Sequence, residues 1–196
     1  MSNKLSYSAI NKHQFCQQAY FHHYKNKYRP IEISSALPFG SALGKTFEYI
    51  LNPSSKTEAL KDKEVTPYEV FDYHWRYQEI NKVLTNIEEY EHIAYSKYDL
   101  DKDLADTPYQ SLKAKGHLII TTFINEFLPL VEHVYSTEEK TELANDLGDV
   151  NVGYADAVVK LKDYYKPVII DFKTAARPYE EDSVKTSIQL SSHWLS

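Results

Sequence analysis

The sequence predicts a mixed α/β fold, of the α+β kind, helical over residues 1–128 and built on a sheet with a following helix over 129–196. Two observations carry this: apolar residues recur at helical spacing behind helix-start signals as far as Pro129, and shorter β-rich runs follow it. A third bounds it, because 196 residues is about one domain and enough chain to bury a core.

The elements follow in order. Ser8 can cap a first helix through Ile10, Phe15, Cys16, Ala19 and Tyr20, closed by the polar stretch from Arg29 to Ser35. Pro38 suits the first turn of a second helix, in which Leu43, Phe47, Ile50 and Leu51 repeat at helical spacing before Asn52-Pro53. On another face of it Gly40, Gly44 and Glu48 stand four residues apart. Thr66-Pro-Tyr-Glu69 combines a capping box with a first-turn proline, and the periodicity of Val70, Phe71, His74, Val83, Leu84, Ile87 and Tyr90 predicts a helix running on to residue 90. Ser96 to Asp106 reads as a loop, after which Thr107-Pro108 opens a helix through Leu112, Leu118, Ile119, Phe123 and Phe127 that Pro129 ends. Residues 130–135 and 150–159 are predicted strands, with Glu138, Glu139, Glu142, Asp146 and Asp149 in an exposed acidic connector between them. Lys162-Asp-Tyr164 turns the chain into a third strand, 167–173, and residues 182–196 read as a helix with Val184, Ile188 and Leu195 on one side.

Composition removes several classes. Hydrophobic residues at 42% and charged residues at 26% are ordinary for a globular domain and exclude disordered and fibrous chains. The longest strongly apolar stretch, 118–124, is interrupted by two threonines and falls far short of the roughly 20 residues a membrane helix needs. The N-terminus lacks the apolar core and cleavage site of a secretory signal, so a cytoplasmic protein is expected. Cys16 is the only cysteine, which excludes an internal disulfide and an iron–sulfur cluster held by this chain. A net charge of −6 argues against coating nucleic acid with the whole surface. A local basic footprint does exist: Lys4, Lys12, Lys25, Lys27 and Arg29 all precede the first acidic residue, Glu32, and His13, His22, His23 and, further on, His74 could add to it, although an ordinary solvated helix face explains the same charges equally well. Tyr7, Tyr20, Tyr24 and Tyr28 interleave with these residues, an arrangement that suits either base stacking or the edge of a core.

The third predicted strand ends in an acid and a base. Asp171 and Lys173 are two apart and share a face, while Val168, Ile170 and Phe172 point to the other. A hairpin turning near Asp163 brings Asp156 across from Asp171, and two carboxylates so placed can chelate a hard divalent cation with Lys173 beside it. That trio suits phosphodiester hydrolysis, in which the cation activates water and screens the phosphate while the ammonium positions the nucleophile or stabilises developing charge. By itself Asp-x-Lys also describes a solvent-facing ion pair at a strand end.

Gly153-Tyr-Ala-Asp156, then Val168-Ile-Ile-Asp171-Phe-Lys173-Thr174, then Gln189 resembles the PD-(D/E)XK nuclease superfamily, in particular its RecB-like and phage-exonuclease branch. Ser6, Ser8, Cys16, Tyr20, Phe21 and Tyr24 are similar to the N-terminal helix of that branch, and Val131-Glu132 to the strand before the first catalytic Asp. The resemblance implies a restriction-endonuclease-like core, a mixed β-sheet flanked by helices. It implies Asp156 and Asp171 as metal-binding carboxylates, the backbone carbonyl of Phe172 as a further ligand, Lys173 as the catalytic lysine, and Gln189 on the helix that approaches the active site or DNA. The cofactor implied is Mg²⁺ or Mn²⁺ and the partner is DNA, with room for a recombination partner protein or a homo-oligomer. The activity implied is an exonuclease of DNA recombination, repair or phage DNA processing. A nuclease-fold module with weakened catalysis, binding DNA or protein, is the alternative.

Three departures stand out. RecB-like nucleases carry Gly-x-x-x-His on an early helix, whereas here Gly40 is followed by Gly44; Glu48, one turn on, resembles the Gly-x-x-x-Glu of lambda-exonuclease relatives and could supply the ligand. Close packing through Gly40 and Gly44, with Glu48 at a groove edge, explains the same residues equally well. His193 stands where the family often has Tyr, and the sequence ends where relatives continue with further strand and helix, which fits a minimal, split or truncated form.

Overall fold

The computed structural model describes residues 4–80, 82–144 and 150–174. Its sheet is organised around the strand that carries Asp156. This strand, β7 (Val150–Leu161), pairs along one edge with the antiparallel β6 (Val131–Ala144). Its other edge is shared: β1 (Lys4–Ser6) pairs parallel with residues 150–152, and β8 (Val168–Ile170) pairs antiparallel with residues 157–159. The C-terminal ends of β1 and β8 therefore point toward each other across residues 153–156 of β7. Asp163, with φ 68, makes the turn between β7 and β8 in the place expected.

Helices cover one face of the sheet. The second predicted helix is α3 (Ala36–Leu51), which buries Phe39, Ala42, Leu43 and Phe47 and ends at Asn52. α4 (Pro67–Arg76) starts on the expected capping box, with Thr66 and Glu69 bonded reciprocally, and buries Val70, Phe71 and Trp75. α5 (Pro108–Thr122) is capped by Thr107 and continues as a π-helical turn, Phe123–Phe127, into a 3₁₀ turn that contains Pro129. Trp75 stacks on Tyr109 at 5.1 Å and donates its indole N–H to the Tyr109 carbonyl, which locks α4 to α5. These faces join Ala157 and Val159 of β7 in one core.

Four expectations are corrected. The helix predicted to reach residue 90 stops at Arg76, and an antiparallel hairpin of β3 (Tyr77–Ile80) and β4 (Val83–Asn86) replaces its second half. The β-branched Ile80, Val83 and Thr85 favour strands, and Lys82 takes a left-handed φ of 66 beside the turn, while Val83 and Leu84, in the middle of the apparent helical stripe, are exposed. The first helix begins at Tyr7 with Ser6, not Ser8, as its cap, because pairing in β1 already holds Ser6 extended and its hydroxyl accepts the Ala9 N–H. That helix is also divided: α1 (Tyr7–Phe15) ends at Cys16, whose extended backbone and thiol cap α2 (Gln17–Tyr20), followed by a π turn, Phe21–Lys25. Finally, Glu138, Glu139 and Glu142 are not in a connector but in β6, paired with β7 as far as Ala144. Asp146, Asp149 and the predicted helix at 182–196 lie outside the described residues. A short parallel pair, β2 (Ile33–Ser34) with β5 (Ile93–Ala94), ties the segment before α3 to the chain that follows the hairpin.

Candidate active site

Alternation along β7 decides which side chains can meet. Ala155, Ala157 and Val159 are buried against the helices, so Asp156 between them lies on the opposite face. Across the sheet, Ala157 faces Ile170 and Val158 faces Ile169, so Asp171, next after Ile170, falls on the Asp156 face. β8 ends at Ile170, and the chain then peels away as Asp171-Phe-Lys-Thr174.

This short segment is pinned from both sides. The Phe172 backbone N–H donates to Asp156 Oδ2 in a short hydrogen bond, and the Phe172 ring packs on Phe47 of α3 and Phe123 beyond α5, at centroid distances of 4.9 and 5.7 Å. Lys173 Nζ donates to Asp171 Oδ1 at 2.8 Å; the ammonium is half exposed, while the carboxylate is only 7% exposed. A buried carboxylate thus anchors an accessible ammonium beside a second carboxylate. Burial pushes the Asp156 carboxyl above its ordinary range; the Phe172 N–H opposes this, Asp171 and Glu138 reinforce it through their charge, and Lys173 counters them.

Glu48 enters through a neighbouring network. Its Oε2 accepts from Lys45 Nζ at 2.8 Å one turn back on α3, and the same ammonium lies 3.6 Å from Glu138 Oε1. Burial works against the Lys45 charge, but the hydrogen bonds and charges of Glu48 and Glu138 outweigh it and raise its pKa. Glu138 falls in register opposite Asp156, between the pairs Thr137–Ala157 and Glu139–Ala155, and holds a left-handed φ of 53 inside β6. Neither Glu138 nor Lys45 stands out in the sequence as a site residue. The acidic run around Glu138 reads as a connector, and the only signal for Lys45 is its position three residues before Glu48.

Beside the pinned segment a groove of about 530 Å³ opens between α3 and α5, with Lys173, Thr174 and Lys115 at its polar rim. Gly40 and Gly44 face it differently. A Cβ at position 40 would sit 3.0 Å from the Thr174 hydroxyl, so that glycine serves close approach, whereas a Cβ at position 44 would meet no atom within 4 Å. Position 44 therefore borders open space. Gln189 and His193 lie outside the described residues.

The whole constellation sits inside a longer likeness: residues 4–192 match the family profile of the PD-(D/E)XK nuclease superfamily. The chain belongs to that superfamily. The mixed sheet with covering helices is accordingly the restriction-endonuclease-like fold, and the chemistry that comes with membership is metal-dependent hydrolysis of nucleic-acid phosphodiesters. No curated protein and no solved structure matches the chain. Among the described residues no helix is long and apolar enough to cross a membrane.

The family's divalent metal can be tested against the residues this nuclease-family chain presents. Asp156 and Asp171 are hard oxygen donors set close enough for the charge of one to raise the pKa of the other, an arrangement that a cation relieves. Among the described residues no three Asp, Glu, His or Cys side chains converge as a ready metal cage. The donor set fits a hard cation held by two carboxylates together with backbone and water oxygens.

Proposed function

We propose that this PD-(D/E)XK protein is a divalent-metal-dependent deoxyribonuclease acting from DNA ends. Asp156 and Asp171 are its metal carboxylates, the Phe172 carbonyl a further ligand and Lys173 the catalytic lysine, while Glu48, the acidic donor suggested by the resemblance, stays in its ion pair with Lys45 beside them. One observation carries the reading: Phe172 and Lys173 tie Asp156 and Asp171 into a single unit at the end of a half-buried strand. Mg²⁺ or Mn²⁺, when bound, supplies a lowered pKa for attacking water and neutralisation of phosphate charge. The Phe172 N–H orients the Asp156 carboxylate. Asp171 holds the Lys173 ammonium toward solvent, where it donates to the attacking water or to a non-bridging phosphate oxygen as negative charge develops. The preference for ends rests on the resemblance to the phage-exonuclease branch.

The open space at Gly44 and the lack of a three-donor cluster among the described residues favour a second reading, a nuclease fold with weakened catalysis that binds DNA. Both are tested with end-labelled linear duplex, single-stranded DNA and covalently closed circles in Mg²⁺, Mn²⁺ or EDTA. The nuclease reading expects loss of linear DNA only, abolished by EDTA and reduced about 100-fold or more by Lys173→Ala. DNA binding without cleavage by the wild type would establish the second reading instead.

A further inference from the structure

The N-terminal segment carries cations and rings that the catalytic chemistry does not use. Among the described side chains of α1, α2 and the π turn, only Ala9 is buried. Phe15 is 90% exposed, and Phe21 and Tyr28 are more than half exposed. No acidic residue precedes Glu32, and among the described residues no carboxylate pairs with Lys12, Lys25, Lys27 or Arg29. In a chain of net charge −6 this is a concentrated positive stretch.

The rings are held in place. His22 stacks on Tyr28 nearly in parallel, at 5.7 Å and 9°, and the Asn26 amide meets His22 Nδ1 at 3.3 Å. The Arg29 guanidinium donates to the carbonyls of His23 and Tyr28 at 2.7 and 3.2 Å, which fixes the segment carrying Tyr28. Burial, followed by the charges of Lys12, Arg29 and Lys27, lowers the pKa of His23, a sign of how closely those cations gather. The segment also has a direction: α1 starts where β1 ends, at the gap in the sheet that faces residues 153–156.

We infer that residues 12–29 form a track for single-stranded DNA leading toward Asp156, with Phe21 and Tyr28 as base-stacking platforms and Lys25 and Lys27 as phosphate contacts. The inference rests on the nuclease reading for its substrate. Fixed, exposed rings among unpaired cations recognise unpaired bases, whose faces a duplex hides within its stack. Charge alone would attract either form of DNA.

The test is binding of a fluorescein-labelled thymidine homopolymer of about 16 nucleotides, near the upper site size of such surfaces, by the full chain in EDTA so that no cleavage intervenes. A blunt duplex serves as the comparison. Phe21→Ala and Tyr28→Ala should each weaken single-strand binding about ten-fold, leave duplex binding nearly unchanged, and preserve Mn²⁺-dependent hydrolysis of bis(p-nitrophenyl) phosphate. Tyr28→Phe should bind as the wild type does. Should an alanine variant fail to fold, Lys25→Gln with Lys27→Gln reads the same surface and should lower the salt slope on single strands by about 0.7 per lost contact. Unchanged single-strand binding, equal loss on both forms of DNA, or an unchanged salt slope overturns the track. If the wild type binds with the expected ring dependence yet hydrolyses neither DNA nor the small ester, the nuclease reading fails and the track stands. Cleavage by the wild type together with unaltered binding in the variants removes the track and leaves the nuclease reading intact.

Discussion

His74 shows how one residue couples burial to acid stability. Burial foremost, with the Lys45 charge adding to it, lowers its pKa from 6.5 to about 4, so the folded chain keeps the imidazole neutral. Above pH 6.5 both folded and unfolded forms are neutral and no penalty arises. Between 6.5 and about 4 the unfolded chain takes up a proton that the folded chain refuses, and stability falls as pH falls. His74→Gln should flatten this part of the profile, which urea unfolding at about pH 7.5 and about pH 5 measures; an unaltered slope would assign the loss to other groups. The contrast with the acidic residues shows what is legible at this scale. Asp171, Lys173 and Asp156 can be paired from sequence because a strand's period of two and one short turn fix their relation. Glu138 cannot, because its placement depends on how far β6 runs and on a left-handed residue inside it.

At the scale of elements, local signals are dependable and long-range ones invisible. Thr66-Pro67 and Thr107-Pro108 mark true helix starts because capping is settled within four residues. The end of α4 is different: apolar residues from Val70 to Tyr90 satisfy a helical period, yet the helix stops at Arg76, and a hairpin that reverses between Ile80 and Val83 brings Ile80 and Ile87 to the same core. β1 leaves no sequence signal, since three residues acquire strand geometry from a partner near position 150. Helix packing supplies the testable consequence. A Cβ at Gly116 of α5 would lie 2.1 Å from Phe71 Cζ, so α4 and α5 meet only because that side chain is a hydrogen. Gly116→Ala gains helix propensity, worth at most about 1 kcal/mol, but forces the buried Phe71 ring aside, at about 1–3 kcal/mol of overpacking. The net result should be destabilisation. Thermal melting at equal protein concentration checks this, and a higher Tm for the variant would show that the helices part easily.

Across the whole molecule, Phe172 joins two functions that lie on opposite faces of one segment. Its N–H holds Asp156, and its ring is packed by Phe47 and Phe123, so packing in the helical layer connects to the placement of the Asp156 carboxylate. This coupling predicts a pattern in metal-induced stabilisation. A cation that binds only the folded chain adds about 2.7 kcal/mol at 100 times its Kd, which for a chain of 196 residues raises Tm by several degrees. Wild type should show this rise in Mg²⁺ or Mn²⁺ relative to EDTA, and Asp171→Ala should abolish it. Phe172→Leu keeps the backbone N–H but loses the flat ring between its two aromatic neighbours. It should lower the metal-free Tm and also shrink the metal-induced rise, because the Asp156 carboxylate loses its fixed partner. A lowered Tm with the full rise retained would mean that the carboxylates are set by the sheet alone, and that the helical layer supports the fold without aligning the site.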